Sequence, residues 1–238
     1  MIDDLAVAYE EESLLAKAEQ LSKELNLNID NQAKNTLFIS THGLALKLAQ
    51  FSPLYADFSW KTWQKRREEG KKQDIVKACK PKPNLRIVDA TAGWGRDSAI
   101  LASFGAEITM LERHPIMAVL LEDALQRQTE EDKTFLNLKL IKQDAFTYLQ
   151  ELTEYPHLIY LDPMHPERQK SALVKKDMQA LQQLIGPDGD VLALLELAKK
   201  RTLEKVIVKW PVKLPVLDKT SSSIKGKTIR YDIYQTKL

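Results

Sequence analysis

The chain has 238 residues, which suits one large domain or one core domain with a modest extension. Its net charge is only +2, so overall charge does not indicate a nucleic-acid binder, and such a signal must come from local clusters. The single cysteine, Cys79, excludes an internal disulfide and a cysteine-based metal site. The acidic start, "MIDDLAVAYEEE", does not resemble a signal peptide, and no apolar run is long enough to span a bilayer. We therefore expect a soluble cytoplasmic protein with no metal and no membrane contact.

Residues 1–58 are predicted to form a small N-terminal α+β extension. Their pattern is helical over Ser13–Leu27 and changes to strand, turn and strand over Asn35–Ala49. The next segment, Asp57–Cys79, contains a dense cluster of cations beside two tryptophans. It joins the extension to the remainder of the chain.

From Leu85 onward, short apolar runs alternate with amphipathic segments. The runs predict five strands: "LRIVDA", "EITMLER", "LKLIKQDA", "HLIYLDP" and "KVIVKWP". The other segments predict five helices: "GRDSAILASFG", "HPIMAVLLEDALQRQ", "AFTYLQELT", "KKDMQALQQLIG" and "DVLALLELAKKR". Apolar strands separated by helices are typical of a parallel sheet. An antiparallel hairpin over "KGKTIRYDIYQTKL" follows a low-complexity loop at Thr220–Ser223. Residues 59–238 thus predict an α/β domain with a Rossmann-like sheet of seven mostly parallel strands.

The first of these strands ends in a turn with two glycines. In "IVDATAGWGRDS", Asp89 ends the strand, Gly93 and Gly95 lie in the turn, and Asp97 lies near the start of a helix. Acids beside such a turn suit an ammonium group better than the diphosphate of a dinucleotide, whose third glycine is missing here. Glu112, about 20 residues later at the end of the next strand, can bind both hydroxyls of a ribose. These features indicate S-adenosylmethionine (SAM) rather than NAD, and the alternative is an ordinary tight turn with a solvated glutamate.

Asp162 ends the fourth strand. Because Pro163 has no N–H and keeps the preceding residue extended, the Asp162 carboxylate and the Pro163 carbonyl form a pair of acceptors. Such a pair suits the NH₂ group of a nucleobase and would orient its nitrogen toward a methyl donor. The alternative is that Asp162 caps the following turn. The cations that follow predict phosphate contacts or else a solvated helix face: Arg168, Lys170, Lys175 and Lys176.

These residues resemble a known family, the bacterial small-subunit ribosomal RNA guanine-N2 methyltransferases of the RsmJ type. The resemblance rests on "VDATAGWGRDS", "MLERHP", "YLDPMHPERQKSALVKKDM", "VIVKWP", "KGKTIRYDIY" and "ADFSWKTWQKRREEG". It implies a class I methyltransferase fold, SAM as methyl donor, and methylation of a guanine near the 3′ end of small-subunit (16S) rRNA. The implied partner is this rRNA or the 30S particle, with no obligate protein partner.

The resemblance also implies site residues. Besides Asp89, Gly93 and Gly95, the implied cofactor residues are Arg96, Asp97, Glu112, Arg113, Asp144, Ala145 and Asp162. The pair Asp144–Ala145 departs from the small hydroxyl residues of the family, although an acid can still bond an adenine amine. His165 departs from the Phe or Tyr that stacks on the target base, and an imidazole can also stack. The predicted catalytic residues are Asp162, Pro163 and His165.

The leading prediction is therefore a SAM-dependent rRNA guanine-N2 methyltransferase. Basic patches at 61–72, at 168–176 and around Lys209, Lys225, Lys227 and Arg230 are expected to hold phosphates. The predicted RNA contacts are Arg66, Arg67, Lys71, Arg168, Lys170, Lys175, Lys176 and Lys209. One alternative is methylation of another amine, in adenine or a protein glutamine, which the acceptor pair does not distinguish. Another is a non-catalytic RNA-binding assembly factor, against which the intact cofactor turn counts.

Overall fold

The computed structural model of the protein describes residues 4–49, 51–164 and 191–236. These residues form two compact units. The first contains the chain before Phe58 together with residues 114–127, and the second contains most of the remaining described residues. The predicted division into an extension and a catalytic domain at residue 58 stays a prediction. Outside the described residues lie the predicted helix over 175–186, the side chain of Lys71, and the predicted site residues His165, Arg168, Lys170, Lys175 and Lys176.

The described residues form ten strands and eight α-helices. The strands are β1 (Leu5–Tyr9), β2 (Asn35–Ser40), β3 (Gly43–Lys47), β4 (Arg86–Asp89), β5 (Glu107–Leu111), β6 (Leu138–Ile141), β7 (Leu158–Leu161), β8 (Lys205–Pro211), β9 (Ser222–Lys225) and β10 (Ile229–Gln235). The α-helices are α1 (Leu15–Leu25), α2 (Trp60–Glu68), α3 (Asp74–Cys79), α4 (Arg96–Ala102), α5 (Pro115–Gln126), α6 (Glu130–Phe135), α7 (Ala145–Glu151) and α8 (Val191–Lys199).

The first unit contains a sheet with the strand order β1-β2-β3, in which β1 is parallel and β3 antiparallel to β2. The predicted helix and strand pair are confirmed as α1, β2 and β3, whereas the sequence pattern did not indicate β1. Helix α5 belongs to this unit, since its buried Asp123 accepts the Leu44 N–H of β3 at 2.9 Å. Burial alone would raise the pKa of Asp123, but hydrogen bonds from Leu44, Arg127 and Lys17 lower it.

The second unit is built on a seven-stranded sheet with the order β6-β5-β4-β7-β8-β10-β9. Strands β4 to β8 are parallel, and β10 is antiparallel to β8 and β9. This confirms the predicted Rossmann-like sheet. Val88 of β4 pairs with Thr109 of β5 on one side and with Ile159 of β7 on the other. The carboxyl ends of these three strands therefore lie at one edge, where open α/β sheets bind their ligands.

Apolar side chains of this sheet pack against α7 and α8. All four residues of β7 are buried. Leu149 of α7 and Leu195 of α8 join Ile159 and Val206 of the strands in one buried cluster. Full burial of such a side chain stabilises the fold by about 1.5–3 kcal/mol. The cluster therefore holds the strands that carry the site in a fixed register.

The C-terminal hairpin begins earlier than the sequence pattern predicts. Ser222 and Ser223 belong to β9, so the predicted loop over Thr220–Ser223 is wrong for these two residues. The Ser223 hydroxyl donates to the buried Asp232 carboxylate of β10 at 2.6 Å, which lets a polar run join the sheet.

Two further features of the helices bear on the sequence-based expectations. The pattern did not indicate α6, which begins with a capping box between Thr129 and Asp132. Among the residues that the structure describes, no helix combines the length and the apolar character required to cross a membrane.

Candidate active site

The turn after β4 places two glycines at the edge where β4, β5 and β7 end. Gly93 and Gly95 have φ angles of 54° and 67°, a left-handed conformation that costs other residues roughly 1–2 kcal/mol. Gly95 caps the N-terminus of α4, which begins at Arg96 as the sequence predicts. Since neither glycine carries a side chain, the backbone of this turn can come close to a ligand.

Glu112 directly follows β5 and is 6% exposed. Its Oε2 accepts the N–H of Gly93 at 3.1 Å, and its own N–H donates to the carbonyl of Ile141, the last residue of β6, at 3.2 Å. The structure thus brings the glutamate of the second strand to the glycine turn. Its predicted contact with ribose hydroxyls stays a prediction.

Asp89, the last residue of β4, is buried at 1% exposure. Its carboxylate accepts the Ser98 hydroxyl at 2.6 Å and the Thr91 N–H at 3.1 Å. Burial raises the pKa of Asp89 to about 7, despite these two hydrogen bonds, which lower it. The carboxyl of Asp89 therefore changes its charge near neutral pH.

Lys209 of β8 bridges two acids, and we call Asp97, Asp162 and Lys209 the bridged cluster. The Lys209 Nζ donates to Asp97 Oδ2 at 2.7 Å and to Asp162 Oδ2 at 2.8 Å. The hydroxyl of Tyr160 in β7 also donates to Asp97 Oδ2, at 2.6 Å. Burial opposes the charge of the lysine, but the two carboxylates raise the pKa of Lys209 above its usual value. In this structure the Lys209 ammonium binds two carboxylates. The predicted contact of Lys209 with an RNA phosphate stays a prediction.

The tip of β7 is joined to the glycine turn. The Asp162 N–H donates to the Thr91 Oγ1 at 2.6 Å. The side chain of Asp162 is 17% exposed, and Pro163 is buried. The predicted acceptor Asp162, at the end of β7, therefore lies at the same turn as the predicted cofactor residues.

The remaining predicted cofactor residues flank this turn or follow the outer strand. Arg96 is half-buried, and burial, followed by the nearby charge of Arg66, lowers its pKa. Asp144 caps α7, with its Oδ1 accepting the N–H groups of Phe146 and Thr147. Its other oxygen lies 3.7 Å from the Arg113 guanidinium. Ala145 is buried at 8% exposure as the first residue of α7.

Helix α2 presents the predicted RNA-binding cations at its surface. Arg66 and Arg67 are exposed and lie over aromatic rings, Arg66 over Trp63 and Arg67 over Trp60. Trp60 is itself stacked on Phe135 with 4.4 Å between ring centroids. After burial, the positive charge of Arg66 is the second cause that lowers the pKa of Arg96, the residue after the glycine turn. In the third patch, Lys225 and Lys227 are exposed, whereas Arg230 is buried and bonded to Asp232.

The residues at this edge fit SAM by their chemistry. Four carboxyl groups lie at or beside the glycine turn, in Asp89, Asp97, Glu112 and Asp162. Acceptors of this kind suit the ammonium and sulfonium charges and the ribose hydroxyls of SAM, whereas they would repel a diphosphate. Glycines at left-handed φ let the ligand approach the backbone.

Sequence reasoning missed several residues of the site. Thr91 and Ser98 bond the two strand-end acids, and Tyr160 bonds Asp97. The one available signal was a hydroxyl inside an otherwise apolar strand, at Tyr160 in "LIYL". The bridge by Lys209 had no signal in the sequence, because it joins residues that are 47 and 112 positions apart.

Comparison with known proteins identifies the family of the chain. The family of SAM-dependent methyltransferases matches residues 20–236. A relative named ribosomal RNA small subunit methyltransferase J, from Legionella pneumophila (strain Lens), is 54% identical over 96% of this chain and 95% of its own length. A relative of the same name from Coxiella burnetii (strain Dugway 5J108-111) is 38% identical over 100% of this chain and 99% of its own. The crystal structure of a SAM-dependent methyltransferase from Neisseria gonorrhoeae superposes with a TM-score of 0.71 at 27% identity, covering 97% of this chain and 95% of that one. The chain belongs to the ribosomal RNA small subunit methyltransferase J family of SAM-dependent methyltransferases.

Proposed function

We propose that this protein transfers a methyl group from SAM to the exocyclic N2 amine of a guanine near the 3′ end of small-subunit rRNA. The observation that carries the proposal is Asp162, an acid followed by a buried proline at the tip of β7. Its N–H is bonded to the turn that also bonds Glu112, and Lys209 bridges its carboxylate to Asp97. The names of the relatives support ribosomal RNA as the substrate. A substrate of this kind supports our expectation of a cytoplasmic enzyme.

Catalysis in this proposal depends on orientation of the amine. SAM, when bound, supplies an electrophilic methyl group. The Asp162 carboxylate and the Pro163 carbonyl accept the two N–H bonds of the amine, which directs the nitrogen lone pair toward that methyl group. The nitrogen loses one proton as it gains the methyl group, and the Asp162 carboxylate accepts it. Preorganised acceptors in a partly buried site do this without solvent reorganisation.

The cofactor and the RNA are held by different groups. Glu112 accepts the ribose hydroxyls, and Asp97 faces the cationic part of SAM. Exposed cations of α2 contact RNA phosphates, with Arg66 and Arg67 close enough to aromatic rings to be held in place. Stacking of His165 on the base, and phosphate contacts by the cations at 168–176, belong to the proposal but lie outside the described residues.

The test is methyl transfer into undermethylated small subunits. Protein and labelled SAM are incubated with 30S particles from a strain in which the corresponding gene is deleted, and the modified nucleosides are identified by mass spectrometry. We expect N2-methylguanosine, and we expect Asp162→Asn to slow transfer at least about 100-fold, as loss of a preorganised group does. Glu154→Gln, which changes an 85% exposed carboxylate of the same unit, is the matched control and keeps the wild-type rate.

The nucleoside that carries the label separates the alternatives. N6-methyladenosine in place of N2-methylguanosine would show that the amine is that of adenine. Absence of label from RNA, with no rise in melting temperature on addition of SAM, would indicate a non-catalytic RNA-binding factor.

A further inference from the structure

We propose that Lys209 is a positioning residue for methyl transfer, whose ammonium bridges Asp97 and Asp162 and holds the Asp162 side chain as an oriented carboxylate for the target amine. The inference rests on the proposed function in taking Asp162 as the acceptor of that amine. It assigns to Lys209 a role inside the site in place of the phosphate contact that its position in a basic patch predicts.

The sheet register brings Lys209 to Asp162. Val208 of β8 pairs with Leu161 of β7, so the next residues of the two parallel strands are neighbours. Because side chains alternate along strands, Lys209 and Asp162 point to the face opposite that of Val208 and Leu161. The result is a 2.8 Å contact between a lysine and an acid whose side chains are each 17% exposed.

A third residue fixes the direction of the ammonium. Asp97 of α4 accepts from the same Nζ at 2.7 Å and from the Tyr160 hydroxyl at 2.6 Å. Lys209 is therefore held from two sides, and it can shift only if one of two charge-assisted hydrogen bonds breaks. A carboxylate has about four lone-pair positions, so the bond from Lys209 is compatible with further N–H donors at Asp162.

The positive charge of Lys209 allows the carboxylates of Asp97 and Asp162 to lie close together in the bridged cluster. Two carboxylates at hydrogen-bonding distance from one nitrogen repel each other, and without a cation one of them takes up a proton. A protonated Asp162 would present a donor to the target amine where an acceptor is required.

The surrounding titratable groups do not replace this cation. Asp89 of β4, Tyr160 of β7, Tyr231 of β10 and Cys79 of α3 all act electrostatically within this neighbourhood. Burial raises the pKa of each of them, which keeps the tyrosines and the thiol uncharged at neutral pH. The raised pKa of Lys209 keeps this residue positively charged over the same range, so it does not serve as the base.

The first experiment follows the acids themselves and does not depend on activity. In protein labelled with carbon-13 at the aspartate carboxyls, the Asp97 and Asp162 signals are assigned with single Asp→Asn variants and titrated by NMR. In Lys209→Met we expect the protonation midpoint of one of the two acids to lie at least about one pH unit above its wild-type position, as loss of a close counter-charge requires. In Lys209→Arg, which keeps the charge, we expect a smaller displacement.

The second experiment measures transfer as a function of pH into total small-subunit rRNA, whichever nucleoside accepts the label. We expect Lys209→Met to lower kcat at pH 7 at least about 30-fold, because the Asp162 carboxylate loses its orientation, and to leave KM for RNA within about twofold. The acidic limb of the pH profile should move to higher pH together with the protonation midpoint found by NMR. Lys209→Arg should recover part of the rate. Lys205→Met, the same substitution on the same strand at a lysine that bonds the Ala78 carbonyl, is the matched control and should keep the wild-type pH profile.

Each result bears on one proposal only. Unchanged carboxyl titrations in Lys209→Met, or a higher KM for RNA with unchanged kcat and a smaller salt dependence, would overturn the positioning role and favour the phosphate contact. A label in adenine, or absence of label with wild-type protein, would overturn the proposed function while the NMR titration still reports on Lys209.

Discussion

The backbone N–H of Asp162 donates a hydrogen bond of 2.6 Å to the hydroxyl of Thr91, which joins the tip of β7 to the glycine turn after β4. The same turn bonds Glu112 of the next strand through the N–H of Gly93. Three strand ends are thus connected through one short segment, and a shift of the turn moves the proposed amine acceptor and the proposed cofactor residues together. This connection suggests a test at a residue that is expected to touch no ligand.

Thr91→Val should lower both the free energy of unfolding and the rate of methyl transfer. Valine has the same shape but no hydroxyl, so the Asp162 N–H loses its acceptor, at a cost of about 1–2 kcal/mol in the free energy of unfolding. Because displacement of a reacting group by about 1 Å can cost up to about 100-fold in rate, we expect methyl transfer to fall by at least tenfold. Urea unfolding and transfer rates measure the two effects. Thr91→Ser, which keeps the hydroxyl, should retain most of both, and equal losses in the two variants would contradict the role of the hydrogen bond.

Glu112→Gln should weaken SAM binding and leave the fold intact. A hydrogen bond to a charged group contributes roughly 1.5–3 kcal/mol, so the dissociation constant for SAM should rise by about 10- to 100-fold. Isothermal titration calorimetry gives this value directly. Glu107→Gln changes an exposed glutamate at the start of the same strand and serves as the control, with affinity expected at the wild-type level. Equal affinity in the two variants would exclude Glu112 from the cofactor site.

Asp89 should make the stability of the protein depend on pH. The pKa of its buried carboxyl is raised to about 7 in the folded state, so between about pH 4 and pH 7 the unfolded state is ionised while the folded state still binds a proton. The contribution of Asp89 to stability therefore falls as pH rises through this window and is constant above it. At about 1.4 kcal/mol per pKa unit, the total is at most about 4 kcal/mol.

Asp89→Asn removes this titration. Chemical unfolding at pH 5 and at pH 8 should show that the variant gains stability relative to wild type at the higher pH. An equal difference between variant and wild type at the two pH values would mean that the hydrogen bonds from Ser98 and Thr91 outweigh burial and that Asp89 is ionised throughout.

Arg66 and Arg67 should carry part of the salt dependence of RNA binding. Each phosphate contact that is lost reduces the slope of log K against log salt by about 0.7 to 0.9, so Arg66→Ala combined with Arg67→Ala should lower the slope by roughly 1.5. Binding of small-subunit rRNA is measured at several salt concentrations. Lys133→Ala, at an exposed lysine of α6 that is paired with Glu130, is the control. An unchanged slope in the double variant would place the RNA on another surface.

Much of the fold follows from local hydrophobic patterns in the sequence. Five apolar runs separated by amphipathic segments indicated parallel strands, and β4 to β8 are such strands. Parallel strands end at one edge whatever their exact order, and therefore acids placed after the runs, such as Glu112 and Asp162, could be assigned to one site in advance. Strand β1 escaped this reasoning because it pairs with β2, which lies much later in the chain, and the start of β9 escaped it because Ser222 and Ser223 are polar.

The chemistry of individual side chains depends on neighbours that the sequence does not name. From the sequence alone, Lys209 in "VIVKWP" is predicted to be a surface cation. Only the register of β8 beside β7 brings it between Asp97 and Asp162. Asp89 reads as an ordinary acid, and its shift toward neutral pH arises from burial at 1% exposure. The order of residues thus specifies which groups stand at the ends of strands, since periodicity is local. Their charge and orientation come from packing, since electrostatic and hydrogen-bond energies depend on distances through space and on the exclusion of water.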